Sequence, residues 1–269
     1  MIAKHRHIIL KVLVILFWTG MGTGFIVLFS SAMGKQKNIR VSSVHIDIDE
    51  SKGIYFIGKD DVLGMIAQAH DGGIVGKPLA KVNLHQVETA LKANPYIESV
   101  EVFATLKGAV NISISQREPI IRVINNNRVS YYIDKKGFKI PVSTKFTARV
   151  PIVYGDIPAD QAKVYKETDS TVAAGIYRLA LFIDTSEFWK AQVAQVNVDE
   201  LGDFEIVPVF GDQSILIGQP YQLAEKFSRG LIFYKEVLKN VDASQYRAVN
   251  VRYKDQIICI KKDSTYGTP

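Results

Sequence analysis

The chain begins with one long run of uncharged residues and continues with short segments in which apolar and polar residues alternate. The run extends from Val12 to Met33, 22 consecutive residues without a charged side chain. An α-helix rises about 1.5 Å per residue, so a helix of this length measures about 33 Å and matches the roughly 30 Å hydrocarbon core of a bilayer. The pattern therefore predicts a transmembrane helix over residues 12–33, followed by a short polar linker over 34–40.

Two features of this run leave alternatives open. A cleaved signal peptide has an apolar core of about 7–15 residues before a small-residue cleavage site; this run is longer, although small residues do occur near its end, from Ser30 to Ala32. Gly20 and Gly24 form a Gly-x-x-x-Gly pair, which lets a second membrane helix approach closely. Glycine is also common in spans that make no such contact.

The charges around the run do not by themselves orient it in the membrane. Three basic residues precede it and three follow it, so the positive-inside count is tied: Lys4, Arg6 and Lys11, then Lys35, Lys37 and Arg40. Long domains cross the membrane largely regardless of their charge. We therefore expect the short segment 1–11 to be a cytoplasmic tail and the residues after the span to lie outside the cytoplasm.

Residues 41–118 carry the pattern of a small α+β module. Apolar and polar residues alternate from Val41 to Ile48, which predicts a half-buried strand. Two helices follow, one beginning at the acidic residues Asp60 and Asp61 and one capped by Asn83, because such side chains satisfy the free N–H groups of a first helical turn. Two more strands joined by the turn Lys107-Gly108 complete the order strand, helix, helix, strand, strand: Ile97–Leu106 and Val110–Ile114.

The pattern after residue 118 predicts a second, mixed α/β domain with an antiparallel sheet, extending over 119–263. Turn residues at Asn125–Asn127 and at Asp134–Gly137 separate short strands. A helix is predicted from about Thr171 to Asp184. Further strands are predicted around three groups of alternating apolar residues: Val193–Val198, Phe204–Ile206 and Ile215–Ile217.

The last part of this domain is predicted to be a helix and two strands. Pro220 fits the first turn of the helix, whose apolar stripe is Leu223, Phe227, Leu231, Tyr234, Leu238 and Val241. Two alternating segments follow, Arg247–Tyr253 and Gln256–Lys261, joined by Lys254-Asp255. A strand in this position often lies at a sheet edge, where its free backbone groups can accept a strand or a helix–strand segment of a partner.

The charge distribution argues against nucleic-acid binding. The formal net charge is +6, and six of the 33 basic residues lie in residues 1–40, which contain no acidic residue. The remaining 27 basic residues therefore balance the 27 acidic residues of 41–269. The excess positive charge belongs to the flanks of the predicted span, whereas nucleic-acid binding needs a broad basic face.

Motifs of enzymes and metal sites are absent from the sequence. It contains neither Cys-x-x-Cys nor His-Glu-x-x-His, and neither Gly-x-Ser-x-Gly nor Ser-x-x-Lys. The glycines at 72, 73 and 76 lack the lysine and threonine of a phosphate loop, and the single cysteine, Cys259, excludes an internal disulfide framework. We expect no cofactor and no metal. An envelope enzyme whose site is assembled from distant residues stays an alternative.

Five segments, in this order behind the predicted span, resemble motifs of the FtsQ/DivIB family of bacterial cell-division proteins. They are Asn94–Val102 (its P-W/Y-I-x-x-V-x-V stretch), Ile112–Ile120 (its I-x-V-x-E-x-x-P join), Tyr131–Phe138 (its I-D-x-x-G hairpin), Val150–Gly155 (its L-P-h-h-x-G stretch) and Val249–Tyr253 (its V-D-L-R-Y stretch). Three departures occur: the glutamate directly precedes the proline of the join, the segment Glu50–Lys59 is longer and more irregular than in most such modules, and the final strand lacks the aromatic residue that some family members have there.

The resemblance implies an α+β chain with a single N-terminal transmembrane helix, a POTRA-like β-α-α-β-β domain over 41–118, an FtsQ-type β domain over 119–263 and a tail over 264–269. It also implies a non-enzymatic scaffold of the division machinery at the cytoplasmic membrane, with FtsB/DivIC-like and FtsL-like bitopic proteins as partners. A POTRA-containing docking or chaperone protein of envelope export or assembly is the alternative.

Carried over to this sequence, the resemblance assigns the partner site to the end of the second domain. Arg252 would meet a carboxylate of the partner, and Tyr253 would supply an aromatic contact. The final strand would supply backbone pairing through Gln256, Ile257, Ile258, Cys259, Ile260 and Lys261. The alternative interpretation is that Arg252 is a solvated charge and that the isoleucines of this strand fill the core.

Overall fold

The computed structural model describes residues 16–25, 39–237 and 242–262. Residues 16–25 are helical (α1). Within the described ranges, no helix combines the length and the apolar character that crossing a membrane requires. Several predicted segments lie outside these ranges, wholly or in large part: the tail 1–11, the span 12–33, the linker 34–40 and the tail 264–269.

The described chain forms two compact units. The first comprises the residues up to Asp49 together with Gly58–Ser115. The second comprises Glu50–Ile57 together with the residues from Gln116 onward. The chain therefore enters the second unit briefly, between the first strand and the first helix of the first unit, before entering it again at residue 116.

The first unit has the order strand, helix, helix, strand, strand, which confirms the sequence prediction. Its elements are β1 (Ser43–Asp49), α2 (Lys59–Ala69), α3 (Leu84–Lys92), β2 (Ile97–Ala104) and β3 (Ala109–Gln116), with a 3₁₀ turn at Leu79–Lys81 before α3. The sheet order is β1-β3-β2, with β1 parallel to β3. Parallel neighbours need a long crossover, and the two helices provide part of it.

Local signals in the sequence account for the positions at which these two helices begin. The Asp61 carboxylate accepts a hydrogen bond from the backbone N–H of Gly58 (2.9 Å), and the Asn83 side chain accepts one from the N–H of Gln86 (3.1 Å). Both bonds satisfy N–H groups that a helix start leaves free. The β2–β3 turn requires glycine, because Gly108 has a φ of +87° and a Cβ there would lie 2.2 Å from the carbonyl oxygen of Arg40.

The second unit is built on a nine-stranded sheet in the order β12-β11-β10-β9-β8-β7-β4-β5-β6. The strands are β4 (Pro119–Asn125), β5 (Ser130–Asp134), β6 (Lys139–Pro141), β7 (Ile152–Gly155), β8 (Val193–Val198), β9 (Phe204–Pro208), β10 (Ser214–Gly218), β11 (Tyr246–Asn250) and β12 (Ile258–Lys261). The prediction of an antiparallel sheet holds for five of its eight strand pairs. It is wrong for β4–β7, β7–β8 and β10–β11, which are parallel. Apolar alternation reports which face of a strand is buried but not the direction of its neighbour.

Three helices accompany the sheet: α4 (Val172–Asp184), α5 (Glu187–Gln192) and α6 (Leu223–Ile232). The first begins as predicted, since the Thr171 side chain accepts a hydrogen bond from the N–H of Ala174 (3.1 Å). Their buried apolar residues join those of the strands in one core. Because α4 and α5 connect β7 to β8 and α6 lies between β10 and β11, each connection returns the chain to the same end of the sheet, so these strand pairs are parallel.

The start of α6 differs from the prediction. Pro220 lies before the helix, which begins at Leu223 after Gln222, a residue in left-handed conformation with a φ of +51°. Pro220 is instead buried beside α4, where Gly175 leaves room for its ring; a Cβ at position 175 would lie 2.7 Å from the proline Cγ. The helix passes at Phe233 into a π-helical turn that extends to Val237. Leu238 and Val241 of the predicted stripe lie outside the described residues.

The segment Glu50–Ile57, here called the strap, is held in the second unit by a buried glutamine. Gln116 is 4% exposed; its side chain accepts a hydrogen bond from the N–H of Ile57 (3.0 Å) and donates one to the carbonyl oxygen of Ile54 (2.8 Å). Phe56 is buried as well, and its ring packs edge-on against Tyr132. The irregular stretch seen in the sequence is therefore a structured part of the second unit.

Candidate functional site

The two edges of the nine-stranded sheet differ. At one end, β6 is covered by a neighbouring loop, because Phe138 forms a bridge with Val164 and the N–H of Lys139 donates to the carbonyl oxygen of Lys163 (2.9 Å). At the other end, β12 pairs with β11, and no described strand pairs with its outer side. An edge of this kind is a template for a strand from another chain.

The side chains of the final strand alternate between the two faces of the sheet. Ile257 and Cys259 are half-buried and pack against the main core. Ile258 and Ile260 lie on the opposite face, and Ile260 is 7% exposed. Burial raises the pKa of the Cys259 thiol, which favours its neutral form, and the side chain packs as a small apolar strand residue.

Arg252 follows β11 and is held by two polar side chains. Its guanidinium donates to the Asp203 carboxylate (Nη1–Oδ2, 3.0 Å), and its backbone N–H donates to the side-chain oxygen of Asn250 (3.0 Å). Gly218 lies beneath it: the φ there is +66°, and a Cβ would approach the Arg252 Cδ to 2.6 Å. The Arg252 side chain is therefore 37% exposed and is held in place by its ion pair with Asp203, unlike a fully solvated surface arginine.

The other predicted site residues surround this position. Tyr253 is 53% exposed, directly after Arg252. Gln256 is exposed at the end of the turn in which Asp255 takes a φ of +56°. Lys261 ends β12 and is paired in register with Tyr246. The structure thus brings the predicted residues of the C-terminal part together on one edge of one sheet.

Two basic residues of α6 add to this corner and were missed in the sequence. Arg229 donates two hydrogen bonds to the carbonyl oxygen of Val251 (3.2 and 2.9 Å), and Lys226 donates one to the carbonyl oxygen of Gln219 (2.7 Å). Burial, and then the charge of Arg229, lower the pKa of Lys226. No spacing in the sequence marks them, because they reach the edge only through the docking of α6.

A small cavity of about 120 Å³ opens beside Arg252. Leu216, Phe204 and Gly218 supply part of its lining, and Asp203 and Glu205 supply carboxylates. The edge therefore offers three features to a partner: backbone groups of β12, the exposed ring of Tyr253, and a cavity with the Arg252 side chain at its wall.

The two glycines proposed for membrane-helix packing lie in α1. A Cβ at Gly20 or at Gly24 would meet nothing within 4 Å among the described residues. In the same described ranges, no group of three or more His, Cys, Asp and Glu side chains is arranged to hold a metal ion.

Comparison with known proteins agrees with the resemblance seen in the sequence. Residues 118–260 match the family model described as FtsQ/DivIB, C-terminal related, and residues 40–115 match that of the POTRA-like domain. The cell division protein FtsQ of Geobacter sp. (strain M21) is 24% identical over 189 residues, which cover 70% of this chain and 66% of that protein. The match therefore spans slightly less than two thirds of the relative's length.

Proposed function

We propose that this chain, which belongs to the FtsQ/DivIB, C-terminal related family, is a non-enzymatic bitopic scaffold of the bacterial division machinery. Residues 12–33 anchor it in the cytoplasmic membrane, with residues 1–11 in the cytoplasm and both folded units outside. At the septum it links other membrane-bound division proteins through these units.

The open edge of β12 carries this proposal. An FtsB/DivIC-like bitopic protein adds a strand or a helix–strand segment to β12, with backbone pairing as the main contact, and an FtsL-like protein joins the same complex. One carboxylate of the partner meets Arg252, which has further donors besides the one that bonds Asp203, because a guanidinium carries five N–H groups. Tyr253 contributes apolar contact area at the margin of the edge.

The test is co-purification of the full-length protein with its FtsB-like and FtsL-like neighbours from the same bacterium. Tyr253→Ala is expected to weaken the complex, since aromatic residues at interfaces often contribute about 2 kcal/mol or more. Tyr221→Ala is the matched control, because Tyr221 is also 53% exposed and lies outside the edge. Equal recovery of the complex with both variants would refute the role of Tyr253.

A second variant tests the backbone pairing. Deleting residues 247–269 would also remove Val249 and Val251, each 0% exposed, and so would damage the core. Cys259→Pro is more selective, because the register of β12 with β11 directs the N–H of Cys259 to the open side, where proline removes one donor and disfavours the addition of a further strand. Binding that survives in this variant, with the fold intact by circular dichroism, would argue against strand addition.

The biological role is separated from the export alternative in cells. Depletion of a division scaffold is expected to produce filaments with regularly spaced nucleoids, and a fluorescent fusion is expected to collect at the septum. Depletion that leaves division normal but causes envelope proteins to accumulate inside the cell would instead favour a docking or chaperone role in export.

A further inference from the structure

A second surface of the same unit has the features of a peptide site, and none of the residues of the β12 edge belongs to it. It is a cavity of about 510 Å³, within the range of about 300–1,000 Å³ that ligand sites occupy. The strap lines one side with Gly53 and Tyr55, the segment from Phe146 to Pro151 lines another, and the end of α4 contributes Ile183.

The segment 146–150, here called the rim segment, has the exposure pattern of an extended strand without a sheet. Thr147 and Arg149 are exposed, whereas Phe146, Ala148 and Val150 are half-buried. In the part of the chain that the structure describes, none of the backbone N–H groups of 146–149 makes a hydrogen bond. Unpaired backbone groups along an alternating segment are what an added strand requires.

Among the described residues that line the cavity, one cation, Arg149, is left without an ion-pair partner. The two carboxylates at its wall are each bonded to two lysines: Glu118 to Lys52 and Lys135, and Asp184 to Lys135 and Lys190. The guanidinium of Arg149, on the rim segment, has no hydrogen-bond or ion-pair partner among the described residues. The Arg149 guanidinium is therefore available to form an ion pair with a carboxylate of a ligand in the cavity.

Aromatic rings supply the apolar part of the surface. Tyr55 is 50% exposed, and its ring meets the Phe146 ring edge-on with centroids 5.9 Å apart. Phe146 is supported from behind by the buried Phe56, 5.0 Å away. A side chain that packs on this pair would lie beside the rim segment, on a ring that Phe56 supports from behind.

We propose that this cavity binds an extended acidic peptide segment of a partner protein. The peptide pairs its backbone with the rim segment, directs a Glu or Asp to Arg149, and packs an apolar side chain on Tyr55 and Phe146. A small anion would use Arg149 alone and would leave the backbone groups and the rings without a role, so the peptide accounts for more of the site. The proposal does not depend on the β12 edge or on division.

The experiment starts from a phage library of random nine-residue peptides panned against the purified full-length protein. Enriched peptides, synthesised with a fluorophore, are titrated by anisotropy. They are expected to carry Asp or Glu among alternating apolar residues. Arg149→Ala is expected to weaken their binding about tenfold or more, because a hydrogen bond to a charged group contributes about 1.5–3 kcal/mol. Arg247→Ala, which removes an exposed guanidinium outside the cavity, is expected to change nothing.

The peptide itself provides the second test, which needs no change in the protein. Methylation of alternate backbone amides in the enriched peptide removes its hydrogen-bond donors and is expected to abolish binding. Enriched peptides without acidic residues, methylated peptides that bind as well as their parents, or binding of sodium pyrophosphate with no peptide enriched would each overturn the proposal.

Discussion

Replacing Asp134 is expected to destabilise the second unit more than any exposed acidic residue would. This carboxylate is 2% exposed and accepts three hydrogen bonds: from Arg117 Nη1 (2.8 Å) and from the backbone N–H groups of Lys136 (2.8 Å) and Phe138 (2.7 Å). The Arg117 guanidinium also lies over the Phe138 ring, 3.8 Å from its centroid. Asp134→Ala leaves a largely buried cation and two turn N–H groups without this acceptor.

The magnitude follows from this geometry. Removing one member of a buried ion pair costs about 3–5 kcal/mol, and we expect a loss of this size from the free energy of unfolding. Asp134→Asn keeps an oxygen that can still accept from the turn but loses the charge, so its expected loss is smaller, about 1.5–3 kcal/mol. A domain is stable by only about 5–15 kcal/mol, so either change is large enough to measure.

The assay is urea unfolding followed by the fluorescence of Trp189, which is 4% exposed in the core of the second unit. Trp18 is the other of the two tryptophans, so all variants carry Trp18→Phe to isolate the signal. Arg117→Met is measured alone and together with Asp134→Ala. The double variant should lose less than the sum of the single losses, because it leaves no unpaired charge. Additivity within about 0.5 kcal/mol would refute the ion-pair account.

Three further predictions use other residues of the second unit. Gly218→Ala should weaken co-purification with the FtsB-like partner, because the new Cβ displaces the Arg252 side chain. In a protein that already carries Arg252→Ala, the same change should weaken co-purification no further. Gln116→Ala should lower the urea midpoint reported by Trp189, since each buried backbone group left unpaired costs about 1–3 kcal/mol; an unchanged midpoint would contradict the role of this side chain in holding the strap. Burial alone would raise the pKa of Glu118, but hydrogen bonds from Lys52 and Lys135 lower it. The ionised carboxylate therefore stabilises the fold fully above the ordinary carboxyl pKa, and this contribution is lost as the pH falls through the lowered pKa of Glu118. Glu118→Gln should therefore reduce the fall of the urea midpoint between about pH 5 and 3. A variant whose midpoint falls as steeply as that of the wild type would exclude the Glu118–lysine interactions as a cause of the pH dependence.

The local pattern of the sequence was sufficient for the elements and their ends. The order of the first unit, the Asn83 cap, the start of α4 near Thr171 and the turn at Asp134–Gly137 all follow from signals within a few residues, and the structure confirms them. Such signals can be recognised because the hydrogen bonds of a cap or a turn join residues that are close together in the chain. The family resemblance rested on the same short segments, and it is confirmed by the match over 118–260.

The candidate site was predicted in part. The alternation at the end of the second domain indicated a terminal strand, and its position suggested a sheet edge. Whether the outer side of that strand is free depends on which other elements of the chain pack beside it, and the local pattern carries no information on this. The ion pair of Arg252 with Asp203 joins residues 49 positions apart, and the approach of Arg229 to Val251 depends on how α6 docks.

By itself, the sequence determined the two modules, the uncharged run ahead of them and the strand at the end, because periodicity and capping act over one or two turns of chain. Only the tertiary structure decided the three parallel strand pairs, the entry of the strap into the second unit and the surroundings of Arg252. Each of these is a pairing between distant residues, selected by the packing of whole elements against one core, and therefore leaves no local signal in the sequence.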